Sequence, residues 1–523
     1  MTTLSTQLLV IGGGATGLGV AWDACLRGLK VVLIEQGDLA QGTSGRYHGL
    51  LHSGGRYVIS DPPSARDCAA ENVILRRLAP RAIEDTGGLF VAAPTDPADF
   101  PDRWFAACLD LGVPAEEITP AEVVRREPLL DPRLVRAFLV RDGSMDSFDL
   151  LHDLANAIRQ AGGQVLLRHR AERILVEGGR VTGVVVTSLA TGETATIGTE
   201  MLVNASGPWS RQIAAMADVQ LPIALGRGTM VAMATRLVNT VVNRLKPPSD
   251  GDIIVPVGTV AVLGTTDVPV ADPRQLTIEP WEVDLLLAEG EVLIPGLSSH
   301  RALRAWAGIR PLYRPQLAGD KTRVLPRAHV ILDHGERDGV DGLVSVIGGK
   351  LTTFRLMAQQ TMDIVCGRLK VEAACRTAET PLEEPGHTYF TLPERWKRLE
   401  ERKPQTPPTS GAAVICECEL VTRQDLEAAL QAADTRELDD VRRDLRLGMG
   451  PCQAGFCGYR ATGIAHALSR PSTSLPWLGQ FLEERWRGTR PVAWGSGLRQ
   501  MEFTRRLYLE LLEARGIPEE RSQ

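Results

Sequence analysis

Four of the nine cysteines lie close together near the C-terminal end of the chain, at spacings that could hold a metal centre. Cys416 and Cys418 form a C-x-C pair, and Cys452 and Cys457 form a C-x4-C pair. Zinc sites prefer C-x2–4-C knuckles, so the C-x-C half favours an iron–sulfur centre over zinc. Zinc ligation and disulfide pairing remain alternatives. The other five cysteines are scattered, and we expect them to be core or incidental residues.

A glycine cluster near the N-terminus predicts dinucleotide binding. Gly12, Gly14 and Gly17 fit G-x-G-x-x-G between an apolar run and a helical segment, and Glu35 ends the next apolar run. The glycines permit a tight turn that brings backbone N–H groups to a pyrophosphate at a helix N-terminus. The acidic residue can accept a hydrogen bond from a ribose hydroxyl. A glycine turn in a generic α/β fold is the alternative.

Two later turns favour FAD over NAD as that dinucleotide. The N-A-S-G-P-W segment at 204–209 resembles the second nucleotide-contacting turn of glutathione-reductase-like FAD proteins, and it includes Gly207. Gly349 and Thr352 open a helix after a strand, where the helix dipole could face the flavin. No second G-x-G-x-x-G exists for NAD. We therefore expect one bound FAD.

Histidines and arginines supply candidate substrate chemistry. The chain has nine histidines, and His48 and His52 lie within one short glycine-rich loop. His52 is the candidate proton acceptor or flavin neighbour, with a packed-loop histidine as the alternative. An anionic substrate requires local positive charge, and arginine forks suit phosphate or carboxylate. The candidates for this role are Arg56, Arg310, Arg327 and Lys350, of which we favour Arg310 and Lys350, the latter one of only seven lysines.

The composition sets the protein class. The chain has 523 residues, 58 basic and 64 acidic, with a net charge of −6, 44% hydrophobic residues and 5% aromatic residues. This is ordinary globular composition without the basic field or aromatic platforms of nucleic-acid-binding proteins. No 18-residue apolar run or signal-peptide pattern is present. We expect a cytoplasmic protein that binds no nucleic acid.

The elements that must position these residues alternate between strands and helices. Apolar runs predict strands at 6–11, 31–34, 201–204 and 343–347, and helical spacing predicts helices up to about residue 27 and at 66–82, 148–161 and 352–369. A hairpin is predicted over 164–186 with its turn at 178–179, and the tail predicts helices near 477–487 and 499–514.

This order of elements predicts an α/β protein with an interrupted cofactor domain. We assign residues 1–75, 150–225 and 335–375 to an FAD-binding domain, and residues 76–149 and 226–334 to an antiparallel-sheet substrate domain. A polar, proline-rich linker is expected at 376–410, followed by a small cysteine domain at 411–470 and a helical tail at 471–523.

The cysteine segment resembles the bacterioferritin-associated-ferredoxin-like (BFD-like) [2Fe–2S] domain. That resemblance implies a mostly helical domain with Cys416, Cys418, Cys452 and Cys457 as the four ligands. Over nearly the whole chain, the loop at 48–57, the turn at 204–209 and the segments at 264–267, 307–312 and 348–355 resemble FAD-dependent glycerol-3-phosphate dehydrogenases. The cysteine module and the tail are similar to those of the large (A) subunits of bacterial anaerobic enzymes.

The dehydrogenase resemblance implies a glutathione-reductase-like fold that oxidises sn-glycerol 3-phosphate to dihydroxyacetone phosphate. It implies substrate contacts from Arg56, Tyr57, Arg310, Arg327 and Lys350 and places His52 beside the flavin; our own expectation is that His52, Arg310 and Lys350 are catalytic. It implies cofactor contacts from Gly12, Gly14, Gly17, Glu35, Thr43, Ser44 and Ala171, and we expect His48, Gly207, Gly349 and Thr352 to contact the cofactor as well. It also implies a partner flavoprotein, a membrane-anchoring iron–sulfur protein and transfer to quinone, which would place the chain at the inner face of the cell membrane.

The chain departs from the pattern of the dehydrogenase family at one position, and two alternative functions remain. Aerobic members of that family carry a histidine near the start of the strand expected at 226–233, where this chain reads G-R-G-T, so the identity of the proton acceptor stays open. An FAD-dependent amine, opine or 2-hydroxyacid dehydrogenase with the same cluster module is the alternative enzyme. A cluster-carrying electron-transfer protein without its own substrate is the alternative outside that class.

Overall fold

The computed structural model describes residues 3–314, 327–382, 413–468 and 471–512, together with Thr322, Phe390, Thr391, Glu394 and Lys397. In chain order the strands are β1 (Thr3–Ile11), β2 (Val31–Glu35), β3 (Leu50–Leu51), β4 (Ile83–Glu84), β5 (Gly88–Ala92), β6 (Ala115–Ile118), β7 (Arg136–Val140), β8 (Gly143–Met145), β9 (Gln164–Leu167), β10 (His169–Glu177), β11 (Arg180–Ser188), β12 (Thr194–Asn204), β13 (Ile223–Met233), β14 (Val241–Arg244), β15 (Ile253–Val257), β16 (Val260–Gly264), β17 (Val268–Val270), β18 (Ala302–Tyr313), β19 (His329–Asp333), β20 (Leu343–Gly348), β21 (Val414–Cys416) and β22 (Val421–Thr422).

The helices pack on these strands and form most of the C-terminal region. They are α1 (Ala15–Leu26), α2 (Pro62–Leu78), α3 (Phe100–Leu111), α4 (Pro120–Arg126), α5 (Ser147–Gln160), α6 (Ser210–Ala215), α7 (Pro280–Leu293), α8 (His334–Arg337), α9 (Phe354–Leu369), α10 (Arg423–Gln431), α11 (Leu438–Leu445), α12 (Cys457–Ala467), α13 (Pro471–Thr489) and α14 (Gly495–Arg506).

The first sheet carries the glycine-rich turn. Its strands run in the order β10-β11-β12-β1-β2-β9, and β20 pairs with β12 and with β19. β1 is parallel to both β2 and β12, and β12 is parallel to β20. These central strands are continuous apolar runs because helices cover both faces of a parallel sheet. α1, α5 and α9 pack together on one face through a shared core that includes Leu18, Leu154 and Phe354.

The second sheet forms the other wall of the molecule. Its strands run in the order β17-β13-β16-β15-β14-β5-β7-β6, with β18 along the other edge of β13. β13 and β18 pair antiparallel over almost their entire lengths, from Ile223 opposite Tyr313 to Met233 opposite Ala302. Only β14 and β5 are parallel neighbours on this path. The sheet is therefore mixed rather than purely antiparallel as the sequence predicted.

The C-terminal region is mostly helical. A two-stranded ribbon of β21 and β22 precedes α10–α12. Their core includes Leu426, Leu438 and Leu447, together with Cys416 and Cys457. α13 packs on α12 through Phe481, which completes that core. This arrangement agrees with the small helical iron–sulfur domain expected from the sequence.

Most predicted elements are present with shifted ends. The helix predicted at 66–82 runs over Pro62–Leu78, because Asp61 caps it by accepting a hydrogen bond from the backbone of Ser64. The hairpin turn lies at Gly178 and Gly179 as predicted, but 164–167 belong to a separate parallel strand beside β2. The predicted linker and the end of the last predicted helix lie largely outside the described residues.

Candidate active site

The glycine-rich turn joins β1 directly to α1. Gly12 has φ +119°, and a Cβ there would lie 2.5 Å from the carbonyl oxygen of Ala205. A Cβ at Gly17 would overlap the carbonyl oxygen of Gly12. Both positions therefore require glycine for close packing. The cradle that results at the start of α1 fits a bound pyrophosphate.

Buried oxygens hold the cradle from the neighbouring elements. The two carboxylate oxygens of Glu35 accept hydrogen bonds from the backbone N–H groups of Gly13 and Gly37, each at 2.7 Å. Burial raises the pKa of Glu35, and these hydrogen bonds oppose that shift. The Ser44 hydroxyl accepts from the first N–H of α1, on Ala15, at 3.0 Å. Glu35 and Ser44 thus lie where the sequence predicts cofactor contacts.

One large cavity of about 2890 Å³ runs between the two sheets. This volume exceeds the ~300–1,000 Å³ of common small-molecule pockets and accommodates a dinucleotide together with a substrate. Every predicted cofactor and substrate residue except Gly17 lines it; these residues are Gly12, Gly14, Glu35, Thr43, Ser44, His48, His52, Arg56, Tyr57, Ala171, Gly207, Arg310, Arg327, Gly349, Lys350 and Thr352. Gly17 instead packs beneath the turn.

Two of the predicted cations at one end of this cavity share a carboxylate. Asp267 accepts from Arg310 at 3.0 Å, and its other oxygen lies 3.9 Å from Arg327. Arg310 also donates to the carbonyl of Thr266 at 3.2 Å. Its guanidinium is therefore fixed from two directions.

The other two cations complete a group that we call the cationic end: Arg56, Arg310, Arg327 and Lys350. Arg56 pairs with buried Asp252 at 2.7 Å. The Nζ of Lys350 donates to the carbonyl of Arg327 at 3.1 Å and lies 4.3 Å from the centre of the Tyr57 ring. Burial lowers the pKa of Lys350. In the described part of the chain, Asp252 and Asp267 pair with three of these cations, and arginine and lysine donors grouped in this way are suited to an anion.

The two predicted histidines lie next to the cationic end and are buried. Burial, reinforced by Arg56 and Arg310, lowers the pKa of His48 to about 3. Burial also holds the pKa of His52 well below its ordinary value, as do His48 and Lys350. Both rings are therefore neutral at neutral pH.

Hydrogen bonds fix the positions of these rings. His48 Nδ1 accepts from the backbone N–H of Leu50 at 3.1 Å, which leaves its Nε2 as the protonated nitrogen. The backbone N–H of His52 donates to the hydroxyl of Thr352 at 3.1 Å. The His52 Nε2 lies 3.5 Å from the Tyr57 hydroxyl. Thr352 thus connects the start of α9 with the histidine loop.

Sequence reasoning did not identify the acidic residues that hold the cations. Asp252 and Asp267 are remote in sequence from the arginines they bind, although Asp267 lies in one of the segments that carry the family resemblance. A third carboxylate, Glu282 on α7, accepts from Arg227 at 2.6 Å, from Thr229 at 2.8 Å and from Thr266 at 2.7 Å. This buried network occupies the stretch where a histidine was expected and not found.

The four predicted cysteine ligands lie together in the C-terminal domain. Cys418 and Cys452 have their sulfurs 3.9 Å apart, and Cys416 and Cys457 form the second contacting pair. Within each pair the shared hydrogen bond lowers the pKa of one cysteine, Cys452 to about 6 and Cys416 below its ordinary value, and raises the pKa of the other, Cys418 or Cys457. Thiolates are the metal-binding form.

This donor set fits a [2Fe–2S] cluster, which takes four cysteine thiolates. In the described part of the chain, no group of three or more histidine, cysteine or acidic side chains has the arrangement of a single-ion site.

Family models match both halves of this architecture. Residues 7–355 match the FAD dependent oxidoreductase model, and residues 414–466 match the BFD-like [2Fe-2S] binding domain. The chain is 39% identical to the A subunit of the anaerobic glycerol-3-phosphate dehydrogenase of Escherichia coli, with 96% of each chain covered. It is 40% identical to the A1 subunit of the corresponding enzyme of Haloferax volcanii, covering 96% of this chain and 90% of the relative.

The chain belongs to the FAD-dependent oxidoreductases, in the family of anaerobic glycerol-3-phosphate dehydrogenase A subunits. Solved structures agree on the fold. The FAD complex of glycerol-3-phosphate dehydrogenase from Bacillus halodurans has a TM-score of 0.58 at 23% identity, covering 98% of this chain and 89% of that one. L-proline dehydrogenase from P. horikoshii has a TM-score of 0.59 at 20% identity, covering 76% and 99%.

These matches confirm the predicted fold class and both cofactors, FAD and a [2Fe–2S] cluster. The glycine cradle and the cavity suit the first, and the four sulfurs suit the second. The individual residue roles and the domain boundaries stay predictions. Among the described residues, no helix combines the length and apolar character that crossing a bilayer requires.

Proposed function

We propose that this chain oxidises sn-glycerol 3-phosphate to dihydroxyacetone phosphate. The C2 hydrogen leaves as a hydride, the C2 hydroxyl loses its proton to a base, and a carbonyl forms at C2. FAD, when bound, supplies the two-electron acceptor, and the [2Fe–2S] cluster supplies a one-electron outlet. The names of the relatives with high coverage support this substrate.

The cationic end carries the proposal, because it is built to hold a phosphate dianion. Arg56, Arg310 and Arg327 present guanidinium donors, and Lys350 adds an ammonium group. Asp267 and Asp252 orient the arginines before substrate arrives. Holding the phosphate in this way places C2 at a fixed distance from the histidine loop, and such positioning lowers the barrier by reducing the entropy lost in reaction.

His52 is the base that we propose for the hydroxyl proton. Its ring is neutral and borders the same cavity as the cationic end. Lys350 and Arg310 stabilise the oxygen as negative charge develops there. The Tyr57 hydroxyl, 3.5 Å from His52 Nε2, gives the accepted proton a partner within the site.

We infer that the electrons then pass through the cluster to partner proteins and finally to quinone. The relatives are named as A subunits, and this supports an assembly with at least one further polypeptide. The partners that we propose are a second flavoprotein and a membrane-anchoring iron–sulfur protein. Attachment through them would hold this cytoplasmic chain at the inner face of the cell membrane.

Anaerobic titration of the purified holoenzyme tests the substrate assignment. We expect glycerol 3-phosphate to bleach the flavin absorbance stoichiometrically. Glycerol should leave it unchanged because it lacks the phosphate. Bleaching by a 2-hydroxyacid or an amine, with none by glycerol 3-phosphate, would contradict the proposal and favour the alternative dehydrogenase. Iron and acid-labile sulfide analysis of the same sample measures the cluster.

A further inference from the structure

A second group of arginines lines the same cavity at its other end, beside the cysteine domain. Arg46 follows Ser44 in the cofactor loop, Arg304 lies on β18, Arg442 on α11 and Arg485 on α13. We call these four residues the arginine chamber. They come from parts of the chain that are far apart in sequence, and the proposed reaction uses none of them.

The arginine chamber and the cationic end lie at different points along strand β18. Residues 304, 306, 308 and 310 lie on one face of this strand because side chains alternate along it, and Arg304, Trp306 and Arg310 line the cavity. Six residues of strand place Arg304 about 20 Å from Arg310 along the backbone, at ~3.3 Å per residue. The two arginine groups therefore cannot hold the same phosphate.

Arg304 of the chamber is also distant from the glycine cradle. β18 reaches the cofactor loop at Ile309, whose carbonyl accepts from the Thr43 hydroxyl at 2.5 Å. Arg304 lies five residues away along the strand, which corresponds to about 16 Å. A pyrophosphate held at the start of α1 therefore leaves Arg304 without an anion.

Two guanidinium groups of the chamber, those of Arg304 and Arg485, have buried N–H groups without hydrogen-bond partners among the described residues. Arg485 is only 2% exposed, and neither its Nε nor its Nη1 has a hydrogen-bond partner among the described residues. The same holds for Nε of Arg304. The closest carboxylate that pairs with Arg485 is Asp439, at 3.8 Å. Buried charges without partners are strongly unfavourable, so these donors are suited to an anion.

The carboxylates near the chamber already have other partners. Asp439 binds Arg442 at 2.5 Å and also Arg443, and Glu484 binds Arg487 at 2.6 Å. Among the described residues, no carboxylate lies within hydrogen-bond distance of Arg46, Arg304 or Arg485. Positive charge therefore exceeds negative charge here. Burial together with Arg442 lowers the pKa of Arg304 to about 10, which still leaves it charged at neutral pH.

We propose that the arginine chamber is a second anion site that binds a phosphate dianion, either free phosphate or the phosphate group of a small phosphorylated metabolite. Guanidinium forks match phosphate oxygens in geometry as well as charge. The bound anion would join the cofactor loop, the second sheet and helix α13. The site is distinct from the substrate site, whatever substrate is oxidised there.

Occupancy of the chamber should be detectable at the cysteine centre. Arg304 donates to the side chain of Gln453 at 3.3 Å, and Gln453 adjoins Cys452. Arg301, on the same segment, donates to the carbonyl of Pro451 at 3.4 Å. An anion bound by Arg304 changes the electric field beside a cluster ligand, and such fields tune iron–sulfur centres.

Equilibrium dialysis of the oxidised holoenzyme against radiolabelled orthophosphate tests the proposal. We expect two classes of phosphate site in the unmodified protein. Arg485→Gln and Arg304→Gln should each weaken one class at least tenfold, whereas Arg310→Gln should weaken the other. Arg487→Gln is the matched control, because Arg487 is 65% exposed and already paired with Glu484. It should retain both classes.

The electron paramagnetic resonance spectrum of the reduced cluster gives an independent readout. Phosphate should shift it in the unmodified protein and in Arg310→Gln, but not in Arg304→Gln. Dihydroxyacetone phosphate is the competitor that separates the two ligand sources. If dihydroxyacetone phosphate displaces labelled phosphate from both classes of site, the chamber binds a phosphorylated metabolite. If it displaces labelled phosphate from one class alone, the chamber binds free phosphate.

Three results would overturn the proposal. The first is a single class of phosphate site in the unmodified protein. The second is equal binding by Arg485→Gln and Arg487→Gln. The third is loss of FAD from both Arg485→Gln and Arg304→Gln, which would assign the chamber to the cofactor. If Arg485→Gln does not fold, Arg485→Lys together with Arg304→Gln decides the question.

Discussion

At the scale of single residues, burial determines the protonation state of the proposed base. A histidine with an ordinary pKa of ~6.5 would be half protonated at that pH and would lose its basic form below it. The pKa of His52 lies well below this value because burial and the neighbouring cations disfavour imidazolium. The base is therefore available without prior deprotonation.

This shift predicts a flat pH profile for the chemical step. Between about pH 5 and 7, kcat for flavin reduction should show no inflection near pH 6.5, the ordinary histidine value. Stopped-flow measurement at saturating substrate checks this, because saturation removes the titration of the free substrate phosphate. A roughly threefold fall in kcat between pH 7 and pH 6, which is what a base with a pKa of ~6.5 gives, would show that His52 titrates normally or that another group is the base.

Replacing Asp267 should weaken substrate binding more than it slows the chemical step. Asp267→Asn removes the carboxylate that orients Arg310 and approaches Arg327. We expect KM for glycerol 3-phosphate to rise at least tenfold, equivalent to ~1.4 kcal/mol, with a smaller change in kcat. Asp272→Asn is the control, since this exposed carboxylate pairs with Arg274, which is not one of the four residues of the cationic end. Steady-state kinetics with an artificial acceptor measures both variants, and equal KM values would exclude this role for Asp267.

The sequence identified the cations of the substrate site more readily than their partners. Lys350 was conspicuous because lysine is rare in this chain, and Arg310 because it lies in a neutral segment. Asp252 could not be predicted, because its partner Arg56 is 196 residues away and only the folded sheets bring them together. Arg304 and Arg485 were inconspicuous among many arginines, since their lack of partners is a property of the fold.

At the scale of elements, the joint between β1 and α1 depends on two glycines. Gly17→Ala would force a methyl group against the carbonyl oxygen of Gly12, and backbone cannot yield as a flexible side chain can. We expect this variant to lose most of its FAD and to unfold at lower temperature. Flavin absorbance after gel filtration and a thermal melt measure both effects.

Gly367→Ala is the matched control for that substitution. Gly367 lies in α9 with open space around its Cβ position. Alanine favours the helix interior by ~1 kcal/mol over glycine. The control should therefore keep its FAD and melt no earlier than the unmodified chain. Normal FAD content in Gly17→Ala would show that the joint tolerates a side chain.

Local patterns predicted the elements of the first sheet but not the full pairing of the second. The continuous apolar runs of β1, β2, β12 and β20 are typical of buried parallel strands, and their order follows from the dinucleotide-binding pattern. The parallel contact of β14 with β5 joins segments separated by about 150 residues. No local signal encodes such a pairing, so the mixed character of this sheet became evident only in the structure.

At the scale of the whole molecule, ion pairs attach the cysteine domain to the first sheet. Arg443 binds Asp38 at 2.5 Å, and both side chains are buried. Asp440 binds Arg168 at 2.6 Å, and Arg446 binds Asp146. These ion pairs hold the cysteine domain, which we propose accepts the electrons, against the FAD-binding domain. Burial makes the central pair costly to break from one side.

Arg443→Gln should uncouple the two redox centres. The change leaves Asp38, Asp439 and Asp440 facing one another without their shared cation, at a cost of ~3–5 kcal/mol for a buried pair broken from one side. We expect substrate to reduce the flavin at the normal rate but the cluster to be reduced more slowly. Rapid-freeze electron paramagnetic resonance follows the second step.

Arg423→Gln is the control for this experiment, because Arg423 pairs with Glu427 within its own helix. It should leave both steps unchanged. If Arg443→Gln also transfers electrons at the normal rate, the buried pairs do not set the arrangement on which transfer depends.

The interleaved first sheet has a consequence for biosynthesis. β1 and α1 leave the ribosome first, but the cradle is complete only when β20 has paired with β12 and α9 has packed on α1. At ~5–20 residues per second, translation takes roughly 20–70 seconds to reach that point. The nascent chain must keep its N-terminal apolar strands from aggregating throughout this interval. The supply of FAD can therefore limit formation of the holoenzyme only after translation has passed β20, the last strand of this sheet.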